Sequence, residues 1–271
     1  MLRWRVLTAL VLLPLVLGAV FLLPTPLFAV AMAVVVALAG WEWSAMTGVG
    51  SDRDRSLHVA ALVLFGTIFG IAIHLNDRIG LFLATAVAVW LGLAAWLIRY
   101  ELGRSGAAAV RGVPAAVLGV ALLIPAWHAL VWIHGQPGGA WLLVAVFVLT
   151  WASDVGAYFA GRLFGRRKLA PRTSPGKTVE GAVGGLGVTL VAAWVLAVVL
   201  PVSLPGGVSL WVLACVTFAA SVLGDLLESM IKRRCGVKDS GTLLPGHGGV
   251  LDRIDSLTAT APVFAAGLLW L

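Results

Sequence analysis

Charged side chains are scarce in this chain, because only 11% of its 271 residues are Asp, Glu, Lys or Arg. A typical soluble domain carries about 25%. Hydrophobic residues make up 61% and are spread along the chain in runs that no soluble core could absorb. A run of about 20 apolar residues crosses a bilayer, and a helix satisfies its own backbone hydrogen bonds there. The composition therefore excludes a soluble globular protein and predicts an all-α integral membrane protein.

Cysteine and acidic residues are also few. Cys215 and Cys235 are the only cysteines, too few for a disulfide framework. Twelve Asp and Glu stand against 19 Lys and Arg, which gives a net charge of +7. In a membrane protein such an excess indicates cytoplasmic loops and anionic lipid headgroups. We therefore expect membrane lipid as a partner and no nucleic acid.

Nine apolar segments predict about nine transmembrane helices joined by polar loops. The segments are residues 6–23, 28–46, 57–75, 80–98, 113–134, 140–160, 181–200, 208–230 and 254–271. No small-residue cleavage site with a soluble domain follows the first segment, so we interpret it as a retained helix and not as a signal peptide. We divide the chain into N-terminal scaffold helices (1–135) and a C-terminal catalytic region (136–271), which carries polar loops at 161–180 and 231–253. The seventh segment opens with glycines that permit close helix packing, namely Gly181, Gly184, Gly185 and Gly187.

Basic residues fall almost entirely on one side of the predicted membrane. With nine helices the loops alternate between the two sides, and 18 of the 19 Lys and Arg residues share the side of the N-terminus. Only Arg78 lies on the other side. Cytoplasmic loops are enriched in Lys and Arg. The asymmetry therefore predicts a multi-pass protein of the cell membrane whose two polar loops, and with them the active site, face the cytoplasm.

Five carboxylates lie in or beside the apolar segments that flank the two polar loops: Asp154, Asp225, Glu228, Asp252 and Asp255. Carboxylates at such depth are costly and are candidates for function. Asp225 and Glu228 are three residues apart, as are Asp252 and Asp255, so each pair shares one helix face. Two facing pairs repel unless a cation lies between them, and hard oxygen ligands favour Mg²⁺. We predict that these four residues bind Mg²⁺.

Other interpretations of the acidic residues stay open. Lys232, Arg233 and Arg253 are near enough in sequence to neutralise the two pairs by ion pairing. A sixth carboxylate, Glu42, lies between two tryptophans at the cytosolic end of the second segment. Helix packing or snorkelling explains Glu42 as well as a place in the site does, so we leave it outside the predicted site.

The first polar loop contains a basic run that leads into the seventh apolar segment. Its sequence Gly176-Lys177-Thr178 suggests a Walker A loop, but that pattern requires Gly at position 171, which is Pro. What remains is a helix N-terminus preceded by backbone amides and hydroxyls, which is a natural anion site. Ser174 and Thr178 flank Lys177 and are placed to cap the helix or to contact phosphate. A basic membrane anchor with an N-cap is the alternative.

The second polar loop is rich in glycine around one histidine. Gly246, Gly248 and Gly249 lack a Cβ atom, so they let the backbone approach a ligand closely. His247 lies among them, five residues before Asp252. We predict a polar role for His247, either in contact with phosphate or in acid–base chemistry.

The second loop and its flanking helix ends resemble the signature of the phosphatidate cytidylyltransferase (CDP-diacylglycerol synthase) family. That signature has Ser, two further residues and a Lys-Arg pair, then Lys-Asp with a small residue, Pro-x-His-Gly-Gly and Asp-Arg-x-Asp. This chain matches it from Ser229 to Asp255. Two stretches around the first loop are also similar to the family, Asp-x-x-Ala-Tyr-Phe-x-Gly-Arg from Asp154 and Ser-Pro-x-Lys-Thr-x-Glu-Gly from Ser174. Gly176 stands where many members have Lys.

The resemblance implies transfer of CMP from CTP to phosphatidate, with Mg²⁺ as the cofactor and CDP-diacylglycerol and pyrophosphate as products. The protein would mainly position two anions and neutralise their charge. The catalytic candidates are Asp225, Asp252, Asp255, Lys238 and His247. The substrate-binding candidates are Asp154, Arg162, Ser174, Lys177, Thr178, Ser229, Lys232, Arg233, Gly248, Gly249 and Arg253. The oligomeric state is open, and a homodimer is compatible with the sequence.

Two other functions compete with this prediction. A CTP-dependent lipid kinase acting on a polyprenol or phytol shares the nucleotide and a similar scaffold, but the complete signature favours the cytidylyltransferase. An ion-coupled transporter would use the carboxylates as a relay, yet transporter sites lie near the bilayer midplane, often between inverted repeats. The charges of this chain cluster at one face, and its sequence has no internal repeat.

Overall fold

The computed structural model describes residues 2–104, 106, 109–202 and 210–271, and only the backbone of residues 2–7, 9, 74 and 75. In this part of the chain, nine α-helices and one β-hairpin form the fold. The helices are α1 (Leu2–Leu22), α2 (Thr25–Met46), α3 (Asp52–Leu75), α4 (Ile79–Glu101), α5 (Gly112–His134), α6 (Gly139–Phe164), α7 (Val179–Val199), α8 (Leu210–Arg234) and α9 (Leu251–Trp270). The hairpin consists of β1 (Lys168–Ala170) and β2 (Ser174–Thr178). The predicted class and helix number are confirmed, while the hairpin was not predicted.

Seven helices of the described chain are long and apolar enough to cross a membrane, as expected of a multi-pass membrane protein. They are Thr25–Met46, Asp52–Ile73, Ile79–Glu101, Gly112–His134, Gly139–Phe164, Val179–Val199 and Leu210–Arg234. The apolar stretch of α1 is shorter, Leu10–Leu22. Helix α9 carries Asp252, Arg253 and Asp255 within its first five residues, which lowers its apolarity. The first two residues of the predicted segment 208–230 lie outside the described residues.

Two contacts between helix ends agree with loops that alternate between the two ends of the bundle. At one end, the Thr8 hydroxyl of α1 donates to the carbonyl oxygen of Pro245 in the second polar loop, at 3.0 Å. At the other end, the Thr25 hydroxyl at the start of α2 lies 2.9 Å from Nδ1 of His134 at the end of α5. The first end is the one that collects 18 of the 19 basic residues in the predicted topology.

Glycines let α6 and α7 pack closely beside the first polar loop. A Cβ atom at Gly181 would lie 2.9 Å from the carbonyl oxygen of Ala157, and one at Gly185 would lie 2.8 Å from that of Ser153. Larger residues would therefore force the helices apart. The close contact predicted from the glycines of the seventh segment is confirmed, except at Gly187, where a Cβ atom would meet nothing within 4 Å.

Helices α8 and α9 also cross with their backbones in contact. A Cβ atom at Gly224 would lie 2.7 Å from the carbonyl oxygen of Asp255 and 3.1 Å from Cα of Ser256. Because Asp225 follows Gly224 in α8, this crossing brings Asp225 close to the α9 residue Asp255. The small residue at the crossing thus sets the distance between the two predicted carboxylate pairs.

A buried apolar cluster supports the end of the bundle that carries the polar loops. It includes Trp43 of α2, Leu227 and Met230 of α8, and Leu251 of α9, each at most 2% exposed. The Trp43 indole N–H is buried as well and donates to the carbonyl oxygen of Ala115 in α5 at 2.9 Å. The ends of α2, α8 and α9 therefore share one apolar core at this end of the bundle.

Candidate active site

The first polar loop folds into the hairpin, which is tied to the start of α7. The Glu180 carboxylate accepts the backbone N–H groups of Arg166 at 2.9 Å and Arg167 at 3.1 Å, and it also pairs with the Arg167 guanidinium at 3.0 Å. The Thr178 hydroxyl accepts the N–H of Gly181 at 3.1 Å and caps α7, which is one of its two predicted roles. The loop is shorter than predicted because α6 extends into it.

The turn of the hairpin is held by a residue of the N-terminal half. Glu101, the last residue of α4, accepts the backbone N–H groups of Arg172 at 3.1 Å and Thr173 at 2.8 Å, and also the Thr173 hydroxyl. The Arg172 guanidinium donates to the carbonyl oxygen of Tyr100 at 2.8 Å and lies 4.9 Å from the centre of its ring. Ser174, a predicted phosphate contact, begins β2 directly after this turn.

Lys177 of β2 forms an ion pair with Asp225 of α8. The side chains of Lys177 and Asp225 are 27% and 28% exposed, so both stay accessible to a ligand. The second oxygen of Asp225 accepts the Ser229 hydroxyl at 3.3 Å. The Lys177–Asp225 ion pair joins the hairpin to α8, so two distant parts of the sequence bring three predicted site residues together.

Three carboxylates of α6, α8 and α9 lie within electrostatic range of one another. Asp154 lies within electrostatic range of Asp225, and Asp255 lies within range of both. The positive charges of Lys177 and Arg253 also lie within electrostatic range of Asp154. The structure therefore gathers these predicted site residues in one place, at the end of the bundle that carries the polar loops.

The ammonium group of Lys232 lies between the two predicted carboxylate pairs. Its Nζ atom is 3.0 Å from Oε1 of Glu228 and 2.7 Å from Oδ1 of Asp252. The three side chains are 12%, 7% and 6% exposed, so the group is almost closed to water. Two carboxylates around one buried ammonium offset its loss of hydration. In this structure a lysine of the chain thus supplies a cation between the facing pairs, in line with the ion-pairing interpretation.

The second polar loop closes over Asp252. One carboxylate oxygen of Asp252 accepts the backbone N–H of Ser240 at 3.0 Å and that of Gly249 at 2.9 Å. A Cβ atom at Gly248 would lie only 2.6 Å from this oxygen, and Gly248 has a φ of +82°, which a residue without a side chain adopts readily. Asp252 therefore connects the loop to Lys232, and the glycines allow the loop backbone to reach it.

A tight turn presents His247 in this loop. The His247 N–H donates to the carbonyl oxygen of Leu244 at 2.8 Å, and the Leu244 N–H donates to that of Gly248 at 2.8 Å. Gly246 has a φ of +76°, as the third residue of a type II turn requires, and Pro245 suits the second position. His247 is half-buried there, and its polar role stays a prediction.

The remaining predicted cations lie at the rim of the site. Arg162 donates to the Tyr158 hydroxyl at 2.9 Å on the exposed face of α6. Arg233, Lys238 and Arg253 are exposed. None of these cations forms an ion pair within the described residues. Exposed cations around a carboxylate cluster are suited to anionic ligands.

Two carboxylates of the N-terminal half, neither of them in the predicted site, contact the polar loops. Glu42 of α2 is only 4% exposed, and its oxygens accept the backbone N–H groups of Val250 at 3.0 Å and Leu251 at 2.8 Å. Its signal in the sequence was a charge inside an apolar segment, which helix packing explained equally well. Glu101 gave no signal, because an acidic residue at a helix end near several arginines is typical of a surface.

The donors present suit Mg²⁺, although no three Asp, Glu, His or Cys side chains of the described chain converge into a ready-made metal cage. Mg²⁺ needs none, since it binds through one or two carboxylates and completes its shell with water and substrate phosphates. Asp225 and Asp255 offer hard oxygen ligands within electrostatic range of each other. Glu228 and Asp252 already engage Lys232.

A model of the cytidylyltransferase family matches residues 3–271. The chain belongs to this family. It is 44% identical over 273 residues to a phosphatidate cytidylyltransferase of Pseudomonas aeruginosa, and the match covers 100% of this chain and 97% of that protein. It is 39% identical over 282 residues to the enzyme of the same name from Haemophilus influenzae, with 98% of each chain covered. A further phosphatidate cytidylyltransferase, from Brucella suis, is 39% identical over 235 residues, 86% of this chain and 72% of that protein.

Membership of the cytidylyltransferase family confirms the resemblance that the motifs of the C-terminal half indicate. The match also reaches the N-terminal helices, where the motifs offered only a hydrophobic pattern. The helices that carry Glu42 and Glu101 are thus part of the family architecture.

Proposed function

We propose that this membrane cytidylyltransferase transfers CMP from CTP to phosphatidate and so forms CDP-diacylglycerol and pyrophosphate. The observation that carries the proposal is the match to phosphatidate cytidylyltransferases over the whole chain. The geometry supports it, because Lys177 and Lys232 pair with carboxylates at the end of the bundle that carries both polar loops. The proposed site is the partly exposed space around Asp225.

In this reaction an oxygen of the phosphatidate phosphate forms a bond to the α-phosphorus of CTP. The bond from the α-phosphorus to the bridging oxygen breaks, and its electron pair leaves with pyrophosphate. The main obstacle is repulsion between two anions, since unit charges about 4 Å apart repel by roughly 4 kcal/mol at an effective dielectric constant near 20. The task of the chain is therefore to hold both substrates and to neutralise their charge.

The cationic side chains divide between the two substrates according to the loop that carries them. Lys177 of the hairpin and Arg162 at the end of α6 lie on the side of the first loop, and we assign them to the triphosphate of CTP. Arg233 and Lys238 are exposed on the side of the second loop, and we assign them to the lipid phosphate or to pyrophosphate. Arg253, at the start of α9, lies within electrostatic range of Asp154 in α6.

Mg²⁺ is the proposed cofactor, with Asp225 and Asp255 as its ligands from the chain. When bound, the ion would neutralise phosphate oxygens and orient the reacting phosphoryl group. Glu228 and Asp252 stay predicted ligands, but their ion pairs with Lys232 support a second role. Through Lys232 they fix the end of α8 against the start of α9, and this contact keeps Asp225 and Asp255 at a constant distance.

The proposed site faces the cytoplasm, because 18 of the 19 basic residues share its side of the predicted topology. Arg167→Cys and Asp239→Cys, each made without Cys215 and Cys235, test this orientation. Both new cysteines should resist an impermeant thiol reagent in intact cells and react after permeabilisation. Labelling of either one in intact cells contradicts the orientation.

Labelled CTP tests the proposed reaction itself. Purified protein in detergent is incubated with phosphatidate, Mg²⁺ and CTP labelled at either the α- or the γ-phosphate. The α-label should enter the lipid, and the γ-label should leave as pyrophosphate. A CTP-dependent kinase given a polyprenol would produce the reverse pattern, and lipid labelled only from the γ-phosphate would overturn the proposal.

A further inference from the structure

We propose that Glu42 is a positioning residue of the active site, which fixes the second polar loop and the first turn of α9. The inference rests on the proposed function, because it assigns Glu42 a part in that reaction. The N-terminal half of the chain would then determine how Asp252 and Asp255 face α8.

Glu42 caps the N-terminus of α9, whose own N-cap residue has no polar side chain. The first N–H groups of a helix have no partner inside the helix, and no side-chain hydrogen bond from Val250, the N-cap residue of α9, satisfies them. Instead, Oε1 of Glu42 accepts the N–H of Val250 at 3.0 Å, and Oε2 accepts that of Leu251 at 2.8 Å. A negative charge also interacts favourably with the positive end of the helix dipole. Leu251 directly precedes Asp252, so this cap controls the start of the catalytic turn.

Glu42 also holds the loop that precedes α9. The Ser240 hydroxyl lies 3.4 Å from Oε2 of Glu42, and the Ser240 backbone N–H donates to Asp252. A Cβ atom at Gly241 would lie 2.6 Å from Oε1, and one at Gly249 would collide with Oε2. The loop backbone thus approaches the carboxylate from two sides, and glycine provides the room at both.

The charge of Glu42 is better explained by this contact than by helix packing. The residue is 4% exposed and forms no ion pair within the described residues, so backbone amides and one hydroxyl are its partners. A buried carboxylate is costly unless donors satisfy it. A residue that only filled space in α2 would need no charge, whereas a carboxylate can accept two amides and a hydroxyl at once.

The test compares three variants of the full chain in detergent. Glu42→Gln keeps the shape but replaces one acceptor oxygen with a donor, which faces the α9 amides unfavourably. Glu42→Asp keeps the charge and shortens the reach. The matched control is Asp52→Asn, which also removes one negative charge, at a side chain that is 85% exposed and pairs with Arg55 at the start of α3.

Hydrogen exchange and steady-state kinetics are measured on each variant. In Glu42→Gln the amides of residues 250 and 251 should exchange at least about tenfold faster, with α6 and α7 unchanged, and kcat should fall at least about tenfold while KM for CTP changes less than about threefold. Glu42→Asp should recover part of kcat, and Asp52→Asn should match the wild type. If Glu42 only packed α2 against its neighbours, the faster amide exchange would extend over α2, and Glu42→Asp would not recover kcat.

Two results would overturn the proposal in an active wild type: unchanged exchange at residues 250 and 251 in Glu42→Gln, or a kcat within twofold of the wild type. If Glu42→Gln does not fold, Gly241→Ala is measured in its place, because its methyl group would push the Glu42 carboxylate away from the loop. Normal exchange and normal kcat in Gly241→Ala then refute the role. A wild type that makes no CDP-diacylglycerol refutes the proposed function instead, and the exchange measurement still decides whether Glu42 holds α9.

Discussion

The two polar loops are anchored by the same device but at different depths. Each loop is held by one carboxylate from the C-terminal half and one from the N-terminal half. For the hairpin these are Glu180 of α7 and Glu101 of α4. For the second loop they are Asp252 of α9 and Glu42 of α2.

The two loops differ in how deeply their anchoring side chains are buried. The side chain of Asp252 is 6% exposed and Glu42 is 4% exposed, whereas Glu180 is 21% exposed and its partner Arg167 is 75% exposed. Water competes for exposed hydrogen bonds, and a buried acceptor that loses its donors cannot replace them. The comparison therefore predicts that the second loop is rigid and holds the carboxylates in fixed positions. The hairpin should adjust more easily around CTP.

Breaking the deep anchor should have the larger effect. Asp252→Asn removes the charge that faces Lys232 and replaces one acceptor of the Ser240 and Gly249 amides with a donor. We expect kcat to fall by about 10²–10³-fold, which corresponds to about 3–4 kcal/mol. We also expect a loss of about 1–3 kcal/mol in stability, because a buried ammonium keeps only one partner. Steady-state kinetics and thermal unfolding in detergent measure both effects.

The neighbouring Asp239 provides a control for that experiment. It lies in the same loop and is exposed, so Asp239→Asn removes the same charge from the loop without touching the anchor. Because Asp239 belongs to the Lys-Asp pair of the signature, it controls for stability only, and its unfolding temperature should match the wild type. An Asp252→Asn variant that unfolds at the same temperature as Asp239→Asn would refute the idea that the buried anchor holds the loop.

Breaking the shallow anchor should have the smaller effect. Glu101→Gln retains one acceptor for the Arg172 and Thr173 amides but loses the charge, so the hairpin turn should loosen while Lys177 stays on β2. We expect KM for CTP to rise about three- to tenfold with kcat nearly unchanged, because weaker binding in both ground and transition states raises KM alone. Asp54→Asn, at an exposed carboxylate near the start of α3, is the matched control. A fall in kcat as large as that of Asp252→Asn would remove the proposed difference between the loops.

The helical part of the site was predictable from spacing. Asp225 with Glu228, and Asp252 with Asp255, lie three residues apart and do lie on helices α8 and α9. Period and depth are local properties, so a sequence reports them directly. The glycines that bring α6 and α7 together were predictable for the same reason.

Contacts between distant residues were not predictable in this way. The strand Ser174–Thr178 contains Pro, Gly and Lys and has little strand propensity, and its place is set by Glu180 and Glu101 from other elements. Lys232 was one of three basic candidates for ion pairing, and only the crossing of α8 and α9 selects it. Glu42 is 208 residues from Val250 in sequence, so no local pattern indicates that contact.

Asp225→Asn tests the central claim most directly, namely that the place where the hairpin meets α8 is the active site. The substitution keeps the shape of the side chain and removes the charge that faces Lys177 and Asp255. The variant should elute and unfold like the wild type, while transfer of α-labelled CMP to phosphatidate should fall at least about 10³-fold, or about 4 kcal/mol. Transfer within about tenfold of the wild type, less than about 1.4 kcal/mol of transition-state stabilisation, would contradict the account.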